Sequence, residues 1–236
     1  MFAPTNGARG MANWETKRAV GPIQANCWVL RCPRTGDVAV IDPGEEPESI
    51  LEVINSSAGG ARVSLLLMTH AHFDHIGGAR ELKERLQATQ PAAPEIALHP
   101  GDELLYANLR RQGEAFGIAC SDPAPVTRWL RDEQSIEVGA LRLKVLHSPG
   151  HSPGGVCFLL EGNDALGVQQ TVYTGDTLFR QSIGRTDLPG GDHRALLASI
   201  RTRLMVLDGA VRVCPGHGET STIAYERDAN PWVVEG

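Results

Sequence analysis

The sequence is poor in the features that would commit it to several protein classes. Its five cysteines, Cys27, Cys32, Cys120, Cys157 and Cys214, are odd in number and form no CxxC pair, which argues against a complete disulfide framework. They read instead as small buried apolar residues. Aromatic residues make up only 5%, and Trp14, Trp28, Trp129 and Trp232 follow no helical stripe, so they suit core or surface anchoring better than a cofactor platform. No block of five like charges occurs and the formal net charge is −6, the opposite of a nucleic-acid-binding footprint. The longest strongly apolar run, Val63 to Met68, is far below the ~20 residues of a membrane helix. The first residues lack the apolar stretch of an export signal, so a cytoplasmic protein with neither membrane nor nucleic-acid partner is expected.

What is present suits a self-supporting core. The chain has 236 residues, 42% of them hydrophobic, with 26 glycines and 15 prolines, enough to bury roughly 70% of its unfolded surface. Residues 1–16 show no periodicity and read as a flexible extension, leaving 17–236 as one domain. Strands are expected around Lys17–Pro22, Asn26–Cys32, Val38–Ile41 and Val63–Met68. A helix starting near Pro47 has Ile50, Leu51 and Ile54 on one face and stops at Gly59-Gly60. A second helix after Asp74 turns Ile76, Ala79, Leu82 and Leu86 inward. A third spans Asp102–Gln112, with Arg110 and Arg111 as solvated charge. After the linker-like Gly117–Pro125, strands resume at Arg128–Leu130, Ser135–Glu137, Leu141–Leu146, Val156–Leu160 and Thr171–Thr174. Asp192 caps a helix carrying Leu196, Leu197, Ile200 and Leu204, followed by a strand at Val211–Cys214 and a helix near Thr222–Asn230. Strands alternating with helices indicate a layered α/β domain.

The segment Thr69-His70-Ala71-His72-Phe73-Asp74-His75-Ile76-Gly77-Gly78 follows the most apolar strand. Residues two apart on extended chain point the same way, so His70 and His72 suit one metal ion. If the chain turns into a helix there, Asp74 and His75 leave in another direction, toward a second ion. Three later residues of ligand type each sit beyond a strand in a glycine-rich turn: His151 in Ser148–Gly155, Asp176 in Thr174–Thr177 and His217 in Pro215–Gly218. The seven together are about what two ions need when a water and a carboxylate are shared.

The run THAHFDH, followed in order by His151, Asp176 and His217, resembles the metallo-β-lactamase fold family over nearly the whole chain. The resemblance implies a four-layer αββα sandwich with metals at one edge of the paired sheets. It assigns His70, His72 and His151 to the first metal, Asp74, His75 and His217 to the second, and Asp176 as the bridge. The run Gly175–Asp187 and the pair His217-Gly218 are similar to glyoxalase II and its compact bacterial relatives. Asp176 stands where β-lactamases of this fold place a cysteine, which points away from antibiotic hydrolysis.

The implied activity is hydrolysis of acyl thioesters of the S-lactoylglutathione type, by attack of hydroxide on the thioester carbonyl. Asp74 would bind metal and orient the nucleophile. Two divalent ions, zinc foremost, with iron or manganese compatible with the same donors, would leave a cleft attractive to a small anionic substrate. Arg185 aligns with a basic residue that holds glutathione in the family, its bland alternative being a pair with Asp187. A rival within the fold is a persulfide dioxygenase, for which His70, His151 and Asp176 would form a single non-haem iron site. Another is a hydrolase of small esters or lactones. Asp42 reads as a turn residue or a support for the cluster, and His99, His147 and His193 as groups without a direct metal role.

Overall fold

The computed structural model describes residues 14–56 and 62–234. Residues 1–13 of the expected extension, and the Gly59-Gly60 helix stop, lie outside the described residues.

The first half forms β1 (Glu15–Val20), β2 (Ala25–Arg31), β3 (Asp37–Ile41), α1 (Pro47–Asn55), β4 (Arg62–Leu67), α2 (Phe73–Ile76), α3 (Ala79–Thr89), β5 (Glu95–Leu98), α4 (Glu103–Ala107), α5 (Leu109–Ala115) and β6 (Arg128–Trp129). The six strands make one sheet in sequence order, antiparallel from β1 to β3 and parallel from β3 to β6. The second half adds β7 (Ser135–Val138), β8 (Leu141–His147), β9 (Val156–Leu160), β10 (Thr171–Gly175), β11 (Leu178–Phe179), β12 (Ser182–Ile183), α6 (His193–Ser199), β13 (Arg212–Pro215), β14 (Ser221–Thr222), α7 (Ile223–Ala229) and α8 (Pro231–Val234). Its sheet runs β14-β13-β10-β9-β8-β7, and β11 pairs with β12 in a separate hairpin.

Alternation along the strands builds four layers. In β3, Val38 and Val40 face α1 and α3, whereas Ala39 and Ile41 face the other sheet. In β9, Phe158 and Leu160 join the inter-sheet core with Trp28, Leu67 and Tyr173. Cys157 and Leu159 instead lie under α6 and α7 with Leu196, Ile200 and Ile223. Strands buried on both faces carry continuous apolar runs for this reason, and the expected αββα sandwich results.

Several boundaries differ from the sequence reading. The first strand starts at Glu15, so Glu15 and Thr16 are paired with Leu30 and Val29 and do not belong to the extension. In α1 the buried stripe is Ile50, Val53 and Ile54, with Leu51 at its edge. The helix expected after Asp74 begins already at Phe73 and is interrupted at Gly77-Gly78, where a Cβ on Gly78 would collide with the Gly44 carbonyl oxygen. The expected Asp102–Gln112 helix is two helices, broken at Asn108, whose side-chain amide donates to Leu104 O at 2.8 Å. Asp192 caps α6 as expected, accepting from Ala195 N at 3.0 Å, but Ile200–Leu204 continues as a π-helical turn. The two-residue strands of the β11–β12 hairpin are too short for periodicity to reveal. All five cysteines are free and four of them buried.

Candidate metal centre

The centre lies at the edge of the paired sheets, where the chain leaves β4, β8, β10 and β13. His70 and His72 follow β4 on extended backbone, and the chain then winds into α2, which carries Asp74 and His75. The loop holding His151 is closed by Ser148 N donating to Gly155 O at 2.8 Å and anchored to α6 by Ser199 Oγ donating to Pro149 O at 2.7 Å. Val156 N donates to Thr69 O at 2.8 Å, tying that loop's exit to the first ligand loop. Asp176 sits one residue past β10. His217 follows β13 and is held from the other sheet, where buried Asn26 donates to the carbonyls of Pro215 and Gly218, each at 3.0 Å. A Cβ on Gly216 would strike the Asp176 carboxylate and the His75 ring, so only glycine permits this approach.

All seven expected ligand residues converge. His70, His72 and His151 offer donor atoms within 4.8 Å of one another, and so do Asp74, His75 and His217. His72 Nδ1 is 2.8 Å from His151 Nε2, and His75 Nε2 is 3.1 Å from His217 Nε2. Asp176 lies between the sets, with Oδ1 3.3 Å from His75 Nε2, and Oδ2 3.5 Å from His151 Nε2 and 3.7 Å from His217 Nε2.

The surrounding hydrogen bonds orient the rings. The Asp42 carboxylate accepts from Thr69 N and Thr69 Oγ1, both at 2.7 Å. Because the Thr69 hydroxyl donates to Asp42, it accepts from His70 Nδ1 at 3.0 Å, which leaves the His70 Nε2 lone pair facing inward. His75 Nδ1 donates to Asp42 at 3.1 Å, and His151 Nδ1 to the Arg185 carbonyl at 2.7 Å. Such partners set tautomer and ring direction in metal sites. Asp42 adopts φ 51, a left-handed conformation that short polar side chains tolerate.

Protonation follows the same geometry. Burial holds His70 well below the ordinary histidine range, with His75 and His151 adding repulsion. Burial, then His151, lowers His72 to about 4. Burial also opposes a charge on His75, but the carboxylates of Asp176 and Asp74 outweigh it and raise His75 well above its usual value. Burial would raise Asp176, yet His75 and His151 hold it low. A cation held here would displace the His75 proton, since ligands bind in their deprotonated form.

The donor set fits a pair of divalent metals. His70 Nε2 and Asp176 Oδ1 are buried polar atoms without a hydrogen-bond partner, an unfavourable state that a cation relieves. Five imidazoles and two carboxylates suit zinc, iron or manganese alike.

Sequence reasoning overlooked Asp102. It is fully buried and accepts from Ala71 N at 2.9 Å, Ser152 Oγ at 2.8 Å and Gly154 N at 2.5 Å. It thereby staples the His70–His72 segment to the His151 loop. Its partners are 31 to 52 residues away, so no local signal marked it. Arg185 lines the cleft above the centre, but two of its donors engage Asp187 at 2.7 Å each. His99 and His147 stack at 4.1 Å, outside the candidate ligand groups.

A His/Asp cluster able to hold two cations at the edge of an αββα sandwich defines a metal-binding protein of the metallo-hydrolase class. Residues 20–217 match the Metallo-beta-lactamase superfamily, and the chain belongs to that superfamily. It is 34% identical over 215 residues, covering 91% of this chain and 95% of the relative, to the hydroxyacylglutathione hydrolase GloC of Haemophilus influenzae. Among solved structures it resembles TTHA1623 in a di-iron-bound form, with 38% identity, a TM-score of 0.77, and coverage of 92% of this chain and 99% of the other. It also resembles BLEG-1 B3 metallo-beta-lactamase, with 32% identity, a TM-score of 0.79 and coverage of 93% and 99%. No helix among the described residues is long and apolar enough to cross a membrane.

Proposed function

We propose that this protein is a dinuclear metal-dependent hydrolase of acyl thioesters, with S-lactoylglutathione as the reference substrate. The observation that carries the reading is the Asp176 carboxylate, whose oxygens face His75 on one side and His151 and His217 on the other. One acidic group thereby serves two ligand sets, and the relationship to GloC supports a thioester as the scissile group.

His70, His72 and His151 would hold one cation, Asp74, His75 and His217 the other, and Asp176 both. Divalent metals so bound polarise a carbonyl and bring the pKa of water from ~15.7 toward ~7. Asp74 keeps part of its carboxylate open to the cleft, with Oδ2 3.2 Å from His217 Nε2. It is placed to accept a hydrogen bond from the attacking water and direct its lone pair at the acyl carbon. A C–O bond forms and the C–S bond breaks; the thiol, with a pKa of ~8.5, departs as thiolate without a strong acid. The products are a carboxylic acid and a thiol. Arg185 stands ready for a substrate carboxylate, in competition with Asp187.

Protein loaded with zinc, iron or manganese should release thiol from S-lactoylglutathione, lose that activity on chelation and regain it with metal. Thiol release that persists in fully demetallated protein, or no release with any of the three metals at two ions per chain, overturns the reading. The similarity to BLEG-1 makes a β-lactam the comparison substrate; faster turnover of a β-lactam than of any thioester would replace the proposal. One iron per chain with oxygen uptake on glutathione persulfide would favour the dioxygenase, which leaves the Asp74, His75 and His217 set without a task.

A further inference from the structure

The cleft over the metal centre encloses about 860 Å³. At a liquid share of about 30 Å³ per water, that is room for roughly thirty waters, far more than a lactoyl group fills. Five of the proposed metal ligands, His72, Asp74, His151, Asp176 and His217, form its polar floor. Its walls are apolar. Leu104 and Phe116, from the α4–α5 side, line it together with Phe179, Ile183 and Leu188, from the hairpin and the segment after it.

The α4–α5 side of the cleft is left open to water. Leu104 is 80% exposed, Phe116 53% and Ile23 40%, three of the seven large hydrophobic side chains exposed among the described residues, and all three line this one cleft. They come from the β1–β2 turn, α4 and the end of α5, so no local feature of the chain groups them. Scattered exposed hydrophobics need no explanation, but a cluster lining a groove marks a binding surface.

The cations of the cleft differ in their commitments. Asp187 neutralises Arg185. The Arg111 side chain, exposed on α5, makes no hydrogen bond or ion pair among the described residues, whereas its neighbour Arg110 is paired with Glu114 at 3.6 Å. Both arginines are exposed, as expected of solvated charge, and Arg111 in addition lines the cleft.

Resting on the thioester reading, we propose that the cleft selects thioesters with an extended apolar acyl chain over short hydroxyacyl ones, and that Arg111 holds an anionic group on the thiol carrier. The acyl chain lies between the Leu104–Phe116 wall and the Phe179–Leu188 wall, displacing water from both. The carbonyl rests on the floor, where hydrolysis follows the bond changes given above.

The test is a series of S-acylglutathiones from acetyl to decanoyl, with S-lactoylglutathione alongside, on the metal-loaded protein. The value of kcat/KM should rise up to about fourfold per methylene until the chain fills the walls. Leu104→Gln and Phe116→Ser should flatten that slope. Arg111→Gln should lower the ratio of kcat/KM for octanoylglutathione to that for the neutral octanoyl-N-acetylcysteamine about tenfold. A flat or falling chain-length profile with thioesters still hydrolysed overturns the acyl assignment and leaves the thioester reading intact. An unchanged carrier ratio in Arg111→Gln overturns the anion assignment. Failure to cleave any thioester overturns the proposed function itself.

Discussion

The floor and the walls of the same cleft are built on opposite terms. The floor is tight: His75 is fully buried, Asp42 and Asp102 each accept three hydrogen bonds, and Gly216 leaves no space for a side chain. The walls are more open, with Leu104 and Phe116 exposed on the α4–α5 side and Ile23 exposed in the β1–β2 turn. Reactive groups must be kept within a fraction of an ångström, which requires rotamers locked by packing and by supporting hydrogen bonds. A surface that receives an apolar chain needs only area, so it can vary without disturbing the chemistry.

The largest expected effect belongs to the floor. Asp176→Ala removes the carboxylate common to both ligand sets, and we expect kcat to fall at least about a thousandfold, with fewer than two metals per chain by elemental analysis. Full activity in that variant would break the distinction between floor and wall. Asp102→Ala is next. It strands the Ala71 and Gly154 amides and the Ser152 hydroxyl in a buried site, which should cost about 3 kcal/mol of apoprotein stability in urea. Metal affinity should fall roughly 10–100-fold, as when supporting groups of a metal site are lost; metal titration of the folded variant separates the two.

A smaller effect is expected outside both regions. Burial, with repulsion from stacked His147, lowers His99 to about 4, below the ~6.5 of an unfolded histidine. Between these values the unfolded chain binds the extra proton, so stability rises with pH and is lost as pH falls from about 6.5 to 4. Since His99 is only partly buried, the contribution after solvent screening is about 1 kcal/mol. Urea midpoints across that window should drop less steeply in His99→Gln than in wild type. The smallest effect is at the wall: Leu104→Gln should change stability by no more than about 0.5 kcal/mol, because the side chain is already in water. A larger loss would mean that the wall is part of the core.

The seven candidate ligand residues were legible because metal chemistry restricts residue type, and strand ends with glycine-rich turns place such residues at recognisable positions. The sandwich was legible in its strands because doubly buried β3, β4 and β9 must be continuously apolar. Asp102 was not, since a carboxylate among helix-forming residues reads as a solvated charge or a cap until Ala71, Ser152 and Gly154 are brought to it. Arg111 was not, because adjacent residues on a helix point about 100° apart, and only the position of α5 decides which of the two arginines meets the cleft. Asn26 was equally silent, its partners being the carbonyls around His217 near the other end of the chain.

By itself the order of residues determined which side chains offer a metal donor set and which strands are buried on both faces, because each depends on residue chemistry or on the local pattern of apolar residues. The gathering of four ligand segments at one edge, the staple at Asp102 and the apolar walls above the floor were decided only in the folded chain. They are relations between segments distant in sequence, and only packing of the two sheets and their helices sets such distances.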